Sequence, residues 1–522
     1  MIMVAFTCSA QVLKTSIIPL PKKIEYMSGE FKIPKSNLYV IENGTKAAIY
    51  LAQRLQSEFQ FRTNVSPREN QPCIEFKQIH STKNKEAYTL VVQPHKIIIS
   101  SSTEAGLFYG SQSLIQLFEA ARTEKQGITS QIINDEPRFS WRAFMLDEAR
   151  YFKGEKEVLQ LLDIMAELKM NIFHWHLTDD QGWRYESKIY PLLTTIGSIR
   201  TQTQIGGWNS TEFDSIPHEG FYTQKQIEHI VKYANDRHIK IVPEIEMPGH
   251  ASAAIAAYPW LGSKDEVITV PTTFGKHYSI FNVTNSKVLE FLENLIKEAL
   301  PLFNTDIIHI GGDEVRFNQW EENPEIRKYK DEKGFTSYMD IQIEAINKIS
   351  RFISTQKASM MGWNEILGRN LHADDHISFS TPSQRVAPNT IVEFWKGDLN
   401  EMKKAAKEGY RLVNSYNFYT YLDYDDKTIP LSKAYAFEPV PKGLPAKFIP
   451  NIIGLGCQMW GEWIPTPNDM YKRIFPRIGA YAEVGWSIKK DYPDFVRRLK
   501  YRVNSWRNKG VLIVVPDTIS LQ

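Results

Sequence analysis

The 522-residue chain reads as an α/β protein, a (β/α)8 barrel preceded by a small α+β domain, and three observations carry that reading. After residue 138, strand-like and helix-like segments alternate, with eight strand candidates spread over roughly 350 residues. Before residue 137 the pattern is different, with short strands and two helices. The ends of the eight later strands repeatedly carry Trp, Asp, Glu, Tyr and His, which packing alone does not produce, and strand ends are where a barrel gathers its chemistry.

Residues 1–18 form a signal-like leader. The stretch Met1-Ile-Met-Val-Ala-Phe-Thr-Cys-Ser-Ala10 resembles the tail of a secretory signal, with small residues before Gln11 as the cleavage site. No basic n-region precedes it, consistent with a start further upstream. Lipidation of Cys8 is the weaker alternative, because Phe6 and Thr7 are poor residues before a lipidated cysteine. The expectation is an exported protein, periplasmic or on the outer surface of a bacterium.

Residues 19–137 are assigned to the α+β domain. Asn37–Ile41, Cys73–Phe76, Tyr88–Val92 and Lys96–Ser100 are rich in β-branched residues and predict strands. Lys46–Phe59 predicts one helix. Thr103 is placed to cap a second, along which Leu107, Leu114, Ile115 and Phe118 recur near helical spacing. No polar cluster converges here, so the domain reads as structural.

Residues 138–522 are assigned to the barrel and a C-terminal helix. The predicted strands are Arg142–Leu146, Asn171–Leu177, Ile239–Glu246, Asp306–Ile310, Ala358–Gly362, Thr390–Phe394, Arg411–Asn414 and Ile452–Met459. Val158, Leu161, Leu162, Met165 and Leu168 form one apolar stripe on the first intervening helix. A doubly wound open sheet is the runner-up, but no Gly-rich phosphate loop follows the first strand. The stretch from Gly197 to Phe221 is a candidate functional loop between barrel elements.

Composition narrows the function. A formal charge of +2 leaves no basic excess for nucleic acid. No run is long and apolar enough to span a membrane. Three cysteines, Cys8, Cys73 and Cys457, make neither a metal-ligand spacing nor a disulfide framework. Aromatic residues at 12% suit a large core and also a carbohydrate site, where rings stack on sugar faces.

The stretch that organises the chain is Asp306-Ile-Ile-His-Ile-Gly-Gly-Asp-Glu-Val315. It reads as a short strand that turns on two glycines and delivers two carboxylates just past its end. Adjacent like charges push one carboxyl pKa up, which suits a general acid. Alone, an Asp-Glu pair is better read as an acidic loop before a helix N-cap. The other strand ends reverse that preference. They carry Asp147-Glu-Ala-Arg150, His174-Trp-His-Leu-Thr-Asp-Asp180, Pro243-Glu-Ile-Glu-Met-Pro-Gly-His250, Trp363-Asn-Glu365, Trp395, Tyr419-Thr-Tyr-Leu-Asp423 and Trp460-Gly-Glu462. His174, His176 and His250 with Asp179 are also a conceivable metal set, but His174 reads more readily as a satisfied core histidine, and His176 about equally so. No nucleophile elbow supports a serine hydrolase.

At these residues the chain resembles glycoside hydrolase family 20, the β-N-acetylhexosaminidases. His309-Ile-Gly-Gly-Asp-Glu314 is the strongest motif. His174–Asp180, Pro248-Gly-His250 and Met459-Trp-Gly-Glu462 support it in the same order. The resemblance covers nearly everything after the leader and implies a TIM barrel, no metal and no cofactor. It also implies substrate-assisted catalysis, in place of two protein carboxylates. By resemblance Glu314 is the general acid and then base. Asp313 hydrogen-bonds the N–H of the substrate's 2-acetamido group, and Tyr421 donates to its carbonyl oxygen. Trp363, Trp395 and Trp460 wall the sugar. Arg150, Asp423 and Glu462 take its outer hydroxyls, and Asp179 and His250 tune the proton affinity of Glu314. Phe437 stands where some relatives carry a tryptophan near the leaving group, a departure that bears on leaving-group preference.

The implied function is an exo-acting, retaining β-N-acetylhexosaminidase that takes glycans with terminal β-linked GlcNAc or GalNAc. Nearby rivals are a disaccharide-releasing relative such as a lacto-N-biosidase and a conventional two-carboxylate glycosidase. From another class comes a non-catalytic glycan-binding protein, which has no need of the Asp313–Glu314 pair.

Overall fold

The computed structural model describes residues 14–41, 44–63, 71–80, 84–275, 277–368 and 382–514. Most of the signal-like leader, with Cys8, lies outside the described residues. The chain forms two units, Met1–Arg138 with Glu167–Lys169 and Trp486–Gln522, and Phe139–Ala166 with Met170–Gly485.

In the first unit β1 (Lys23–Phe31), β2 (Tyr39–Ile41), β3 (Cys73–Gln78), β4 (Tyr88–Val92), β5 (Lys96–Ser101) and β6 (Ile128–Asp135) make one sheet in the order β1-β6-β4-β5-β3-β2. Helices α1 (Lys46–Phe59) and α2 (Glu104–Glu124) begin where Thr45 and Thr103 cap the backbone N–H groups of Ala48 and Gly106. Period-two burial is clean on β4, where Tyr88, Leu90 and Val92 face the core. β1 and β6 go beyond the strands read from sequence. β1 lies at the sheet edge and buries only Phe31, so it carries no alternation to read. The helix Tyr492–Asn508 also belongs to this unit, not to the end of the barrel as its sequence position suggests. Ser505 donates to Glu119 and Tyr501 to Glu124, both on α2, and Arg502 pairs with Glu119.

The second unit is a closed barrel of eight parallel strands. They are β7 (Trp141–Asp147), β8 (Ile172–His176), β9 (Lys240–Glu244), β10 (Ile307–His309), β11 (Ser359–Trp363), β12 (Ile391–Phe394), β13 (Arg411–Asn414) and β14 (Ile452–Met459). Six fall within the segments read from sequence, while β7 runs one residue past its segment at each end and β11 ends one residue later, at Trp363. The stripe Val158, Leu161, Leu162, Met165 and Leu168 is fully buried. No described helix is long and apolar enough to cross a membrane.

Inside the barrel, side chains stack in layers, because residues two apart share a face of a strand. Trp141, Ala143, Ile172, Val242, Ile307, Met361, Ile391 and Val413 form an apolar floor. Two residues further along, His174, Glu244, His309, Trp363 and Glu393 form a polar layer, all buried. The site is built on that layer.

Closure of the ring depends on a close approach between β14 and β7. Gly454 pairs with Trp141, and a Cβ on Gly454 stands 1.8 Å from the Trp141 carbonyl oxygen. Backbone cannot yield there as a flexible side chain does. Gly454→Ala is expected to cost at least about 1–3 kcal/mol, the range of core overpacking, read as a lowered urea midpoint. An unchanged midpoint refutes this account of the seam.

Candidate active site

Glu244, at the end of β9, collects the polar layer around itself. Its Oε2 lies 2.6 Å from His176 Nδ1 and 2.9 Å from His174 Nε2. Its Oε1 accepts from Trp363 Nε1 at 2.7 Å and lies 2.9 Å from His309 Nδ1. Burial alone raises a carboxyl pKa, but His309, His176 and His174 outweigh it and hold Glu244 well below the usual range. The reciprocal effect lifts His174 and His176, whereas burial outweighs it at His309 and lowers that pKa. Burial pulls the first two down as well, yet Glu244 and its neighbours raise His174 to about 9 and His176 to about 10. Glu393 adds a second anchor, accepting from Ser415 at 2.5 Å and Gln458 at 3.0 Å. The three histidines considered as metal ligands each have a ring nitrogen close to a carboxylate, His174 and His176 to Glu244 and His250 to Asp180.

His176 passes the order upward. Its Nε2 lies 3.0 Å from Asp179 Oδ2, which also takes Arg150 Nη2 at 2.9 Å. Arg150 is further fixed by Asp147 at 3.3 Å and Gln181 at 3.1 Å. Asp179 Oδ1 lies 3.2 Å from His250 Nδ1, and Asp180 holds the same nitrogen at 3.1 Å. His250 therefore stays protonated, and its Nε2 faces Asp313 Oδ2 at 3.8 Å.

The turn after β10 presents the two carboxylates. Gly311, Gly312 and Glu314 all have positive φ, of 61°, 88° and 50°. That conformation is routine for glycine and strained for glutamate. The strain at Glu314 is held by its own N–H, which donates to Glu365 Oε2 at 2.8 Å. Gly311 is also required for space, since a Cβ there falls 1.7 Å from Glu246 Oε2. Asp313 is buried, and its Oδ1 has no hydrogen-bond partner among the described residues. Burial, Glu365 and Glu314 push its carboxyl well up against the pull of His250. The adjacent-charge effect expected from sequence thus falls on Asp313, the more buried of the pair.

These residues surround one cavity of about 270 Å³. All eleven residues singled out from sequence line it, namely Arg150, Asp179, His250, Asp313, Glu314, Trp363, Trp395, Tyr421, Asp423, Trp460 and Glu462. Trp363 and Trp460 meet at 5.9 Å between ring centres, and Tyr421 stacks on Trp395 at 6.0 Å with planes 10° apart. Asp423 carries a buried oxygen without a hydrogen-bond partner among the described residues, and burial beside Glu462 lifts its pKa to about 8. Sequence reasoning missed Trp208, Tyr424, Trp463, Ile464 and Arg473, which also line the cavity. Trp463 follows directly on Trp460-Gly-Glu462 and was within reach of that motif. Trp208 comes from the Gly197–Phe221 loop, through the short hairpin Gln204–Ile205 and Glu212–Phe213. Phe437 does not line the cavity; it is buried against Tyr419, with ring centres 5.6 Å apart.

With the site in view, the comparisons with known proteins agree with one another. Residues 139–489 match the model of the glycosyl hydrolase family 20 catalytic domain, and residues 14–136 match that family's domain 2. A β-hexosaminidase of Porphyromonas gingivalis is 32% identical over 93% of this chain, which spans 62% of that protein's length. One from Vibrio furnissii is 29% identical over 91% of this chain and 77% of its own. The structure of a Vibrio harveyi exo β-N-acetylglucosaminidase in complex with N-acetylglucosamine superposes with a TM-score of 0.81. It is 29% identical and covers 96% of this chain and 79% of that one. A Bacteroides fragilis β-N-acetylhexosaminidase gives 0.78 at 27% identity, covering 95% and 96%.

The Glu244 network has a pH signature. The His174 and His176 pKa values are raised on folding, so their contribution to stability is complete below about pH 6.5 and is lost as pH rises through about 9 to 10. Glu244 is depressed, so its share is present above about pH 4.5 and is lost as pH falls further. Glu244→Gln removes one partner of a buried ionic cluster, expected to cost about 3–5 kcal/mol at neutral pH. It is also expected to flatten the alkaline decline of the urea midpoint. A variant with wild-type stability and a wild-type alkaline slope refutes the network.

Proposed function

The chain belongs to glycosyl hydrolase family 20, and from that premise we propose that it is an exo-acting, retaining β-N-acetylhexosaminidase working by substrate assistance. The observation that carries the proposal is the Asp313–Glu314 pair in a tryptophan-walled cavity. At about 270 Å³ that cavity is at the small end of ligand sites, which run from about 300 to 1,000 Å³. Space for about one sugar favours release of single terminal residues and disfavours the disaccharide-releasing reading.

In the first step Glu314 gives its proton to the glycosidic oxygen. The substrate's acetamido carbonyl oxygen attacks C1 from the opposite face, and the C1–O bond to the leaving group breaks. The nucleophile is tethered to the sugar, so little entropy is lost in reaching attack geometry. Asp313 Oδ1, buried and unpartnered, accepts the acetamido N–H. That donor and the positive charge developing on the oxazolinium ring both favour an ionised Asp313, offsetting the burial that raises its pKa. Asp313 therefore stabilises the transition state more than the ground state. Tyr421 donates to the acetamido oxygen. In the second step Glu314 takes a proton from water, whose oxygen adds to C1 and opens the ring with net retention. Arg150, whose orientation is set by Asp147, Asp179 and Gln181, presents its remaining donors to the outer hydroxyls, with Asp423 and Glu462. His250 sets the electrostatics of the pair through Asp313.

The substrate is a glycan with a terminal β-linked GlcNAc or GalNAc. The signal-like sequence of residues 1–10 supports export to the periplasm or outer surface.

Nitrophenyl β-GlcNAc and nitrophenyl β-glucoside differ chiefly in the acetamido group, so their rates separate the mechanisms. The wild type is expected to strongly prefer the first. Asp313→Asn and Glu314→Gln are each expected to lower its turnover about 10²–10⁴-fold. Comparable rates on both substrates mean that the protein carries its own nucleophile. Tight GlcNAc binding without turnover of either substrate identifies a binding protein.

A further inference from the structure

The turn at residues 311–314 is clasped by the chain at the end of β11, residues 363–366. The Trp363 N–H donates to the Gly311 carbonyl at 2.9 Å. Ile366 packs so closely on Gly312 that a Cβ there falls 2.4 Å from its Cγ2. Gln342, on the helix Tyr338–Thr355, donates from Nε2 to the Gly312 carbonyl at 2.9 Å. Glu365 completes the clasp. Its buried carboxyl accepts the Glu314 N–H on Oε2 at 2.8 Å. Asn364 reaches the other way, accepting from the Trp395 N–H and donating to the Lys396 carbonyl, both at 2.9 Å. Bonds in two directions leave this segment little freedom to shift.

The contacts to the turn differ in what they secure. Gly311 and Gly312 take positive φ without cost, whereas Glu314, at 50°, holds it only where its surroundings impose it. The backbone conformation at Glu314 sets the line along which its side chain leaves the chain, and hence where its carboxyl can reach. Resting on the family reading above, we infer that Glu365 is a positioning residue for the general acid. By accepting the Glu314 N–H it fixes the left-handed backbone from which the acid is aimed at the glycosidic oxygen. Glu365 also acts on Asp313, where burial raises the pKa most and Glu365 adds more than Glu314 does. That second effect concerns the acetamido group and is common to all substrates that carry one.

The test compares methyl β-GlcNAc, whose alkoxide leaves only with a proton, with dinitrophenyl β-GlcNAc, whose phenolate leaves without one. Glu365→Ala and Glu365→Leu both remove the acceptor, and the second fills the space. In either, kcat/KM for the methyl glycoside is expected to fall about 10²-fold, the scale of a misplaced catalytic group. The dinitrophenyl glycoside is expected to lose far less, because it draws little on the general acid. The ratio of the two rates does not depend on how much of the protein is folded, so whichever variant yields active protein reports it. Glu365→Gln keeps an acceptor and is expected to recover most of the wild-type ratio. Equal losses on both substrates, no loss on either, or a Gln variant as skewed as Ala overturns the positioning role. A wild type inert on both substrates is a different failure and sinks the hexosaminidase reading itself.

Discussion

Glu244 is a buried anion with donors on every side, and the site's geometry descends from it. An isolated carboxylate in a barrel interior is costly to desolvate. Here His176 and Trp363 hydrogen-bond to it and His174 and His309 each bring a ring nitrogen within 2.9 Å, so the charge is shared among groups on three other strands. Each donor is thereby given one orientation. Trp363 becomes a fixed wall, and His176 turns its second nitrogen to Asp179. Asp179 then fixes both Arg150 and His250. The positions of cationic groups at the cavity are thus dictated two bonds below it, by one carboxylate that lines no part of the pocket.

Much of this was legible in the chain. Buried parallel strands are short apolar runs between helical stripes, so all eight barrel strands could be placed to within a few residues. Residues just past those strands converge by topology, which is why the eleven sequence-derived site residues share one cavity. What escaped was set by other physics. β1 is an exposed edge strand without alternation. The C-terminal helix found its unit through an ion pair and hydrogen bonds to α2 that no local pattern announces. Trp208 sits in a loop whose path depends on Gln204 reaching across to Phe274. Glu244 was visible as one of two glutamates at the end of its strand, but its role follows only from three histidines on other strands.

The second glutamate of that pair, Glu246, shows how sharply environment divides identical groups. Only two residues from Glu244, it is buried with neither carboxylate oxygen hydrogen-bonded among the described residues. Burial and the charges of Asp313 and Glu244 push its pKa well above the usual range. Glu244 is an anchor because cations meet it. At Glu246 burial and the charges of Asp313 and Glu244 outweigh the pull of His250 and disfavour the charged form.

The same division runs through the cavity and separates binding from chemistry. Arg150 and His250 hold Asp179 ionised as fixed scaffold, whereas Asp313 and Asp423 are left with raised pKa values and unfilled oxygens. Carboxyls of that second kind keep an oxygen without a partner among the described residues, and under the proposed function substrate groups supply it. In that reaction an acetamido N–H at Asp313 and a sugar hydroxyl at Asp423 would each satisfy a buried acceptor that is costly to leave unmade. A ligand lacking the acetamido group would leave Asp313 unsatisfied. On the proposed mechanism, selectivity for the 2-acetamido sugar and stabilisation of the charge it develops come from one unfilled oxygen.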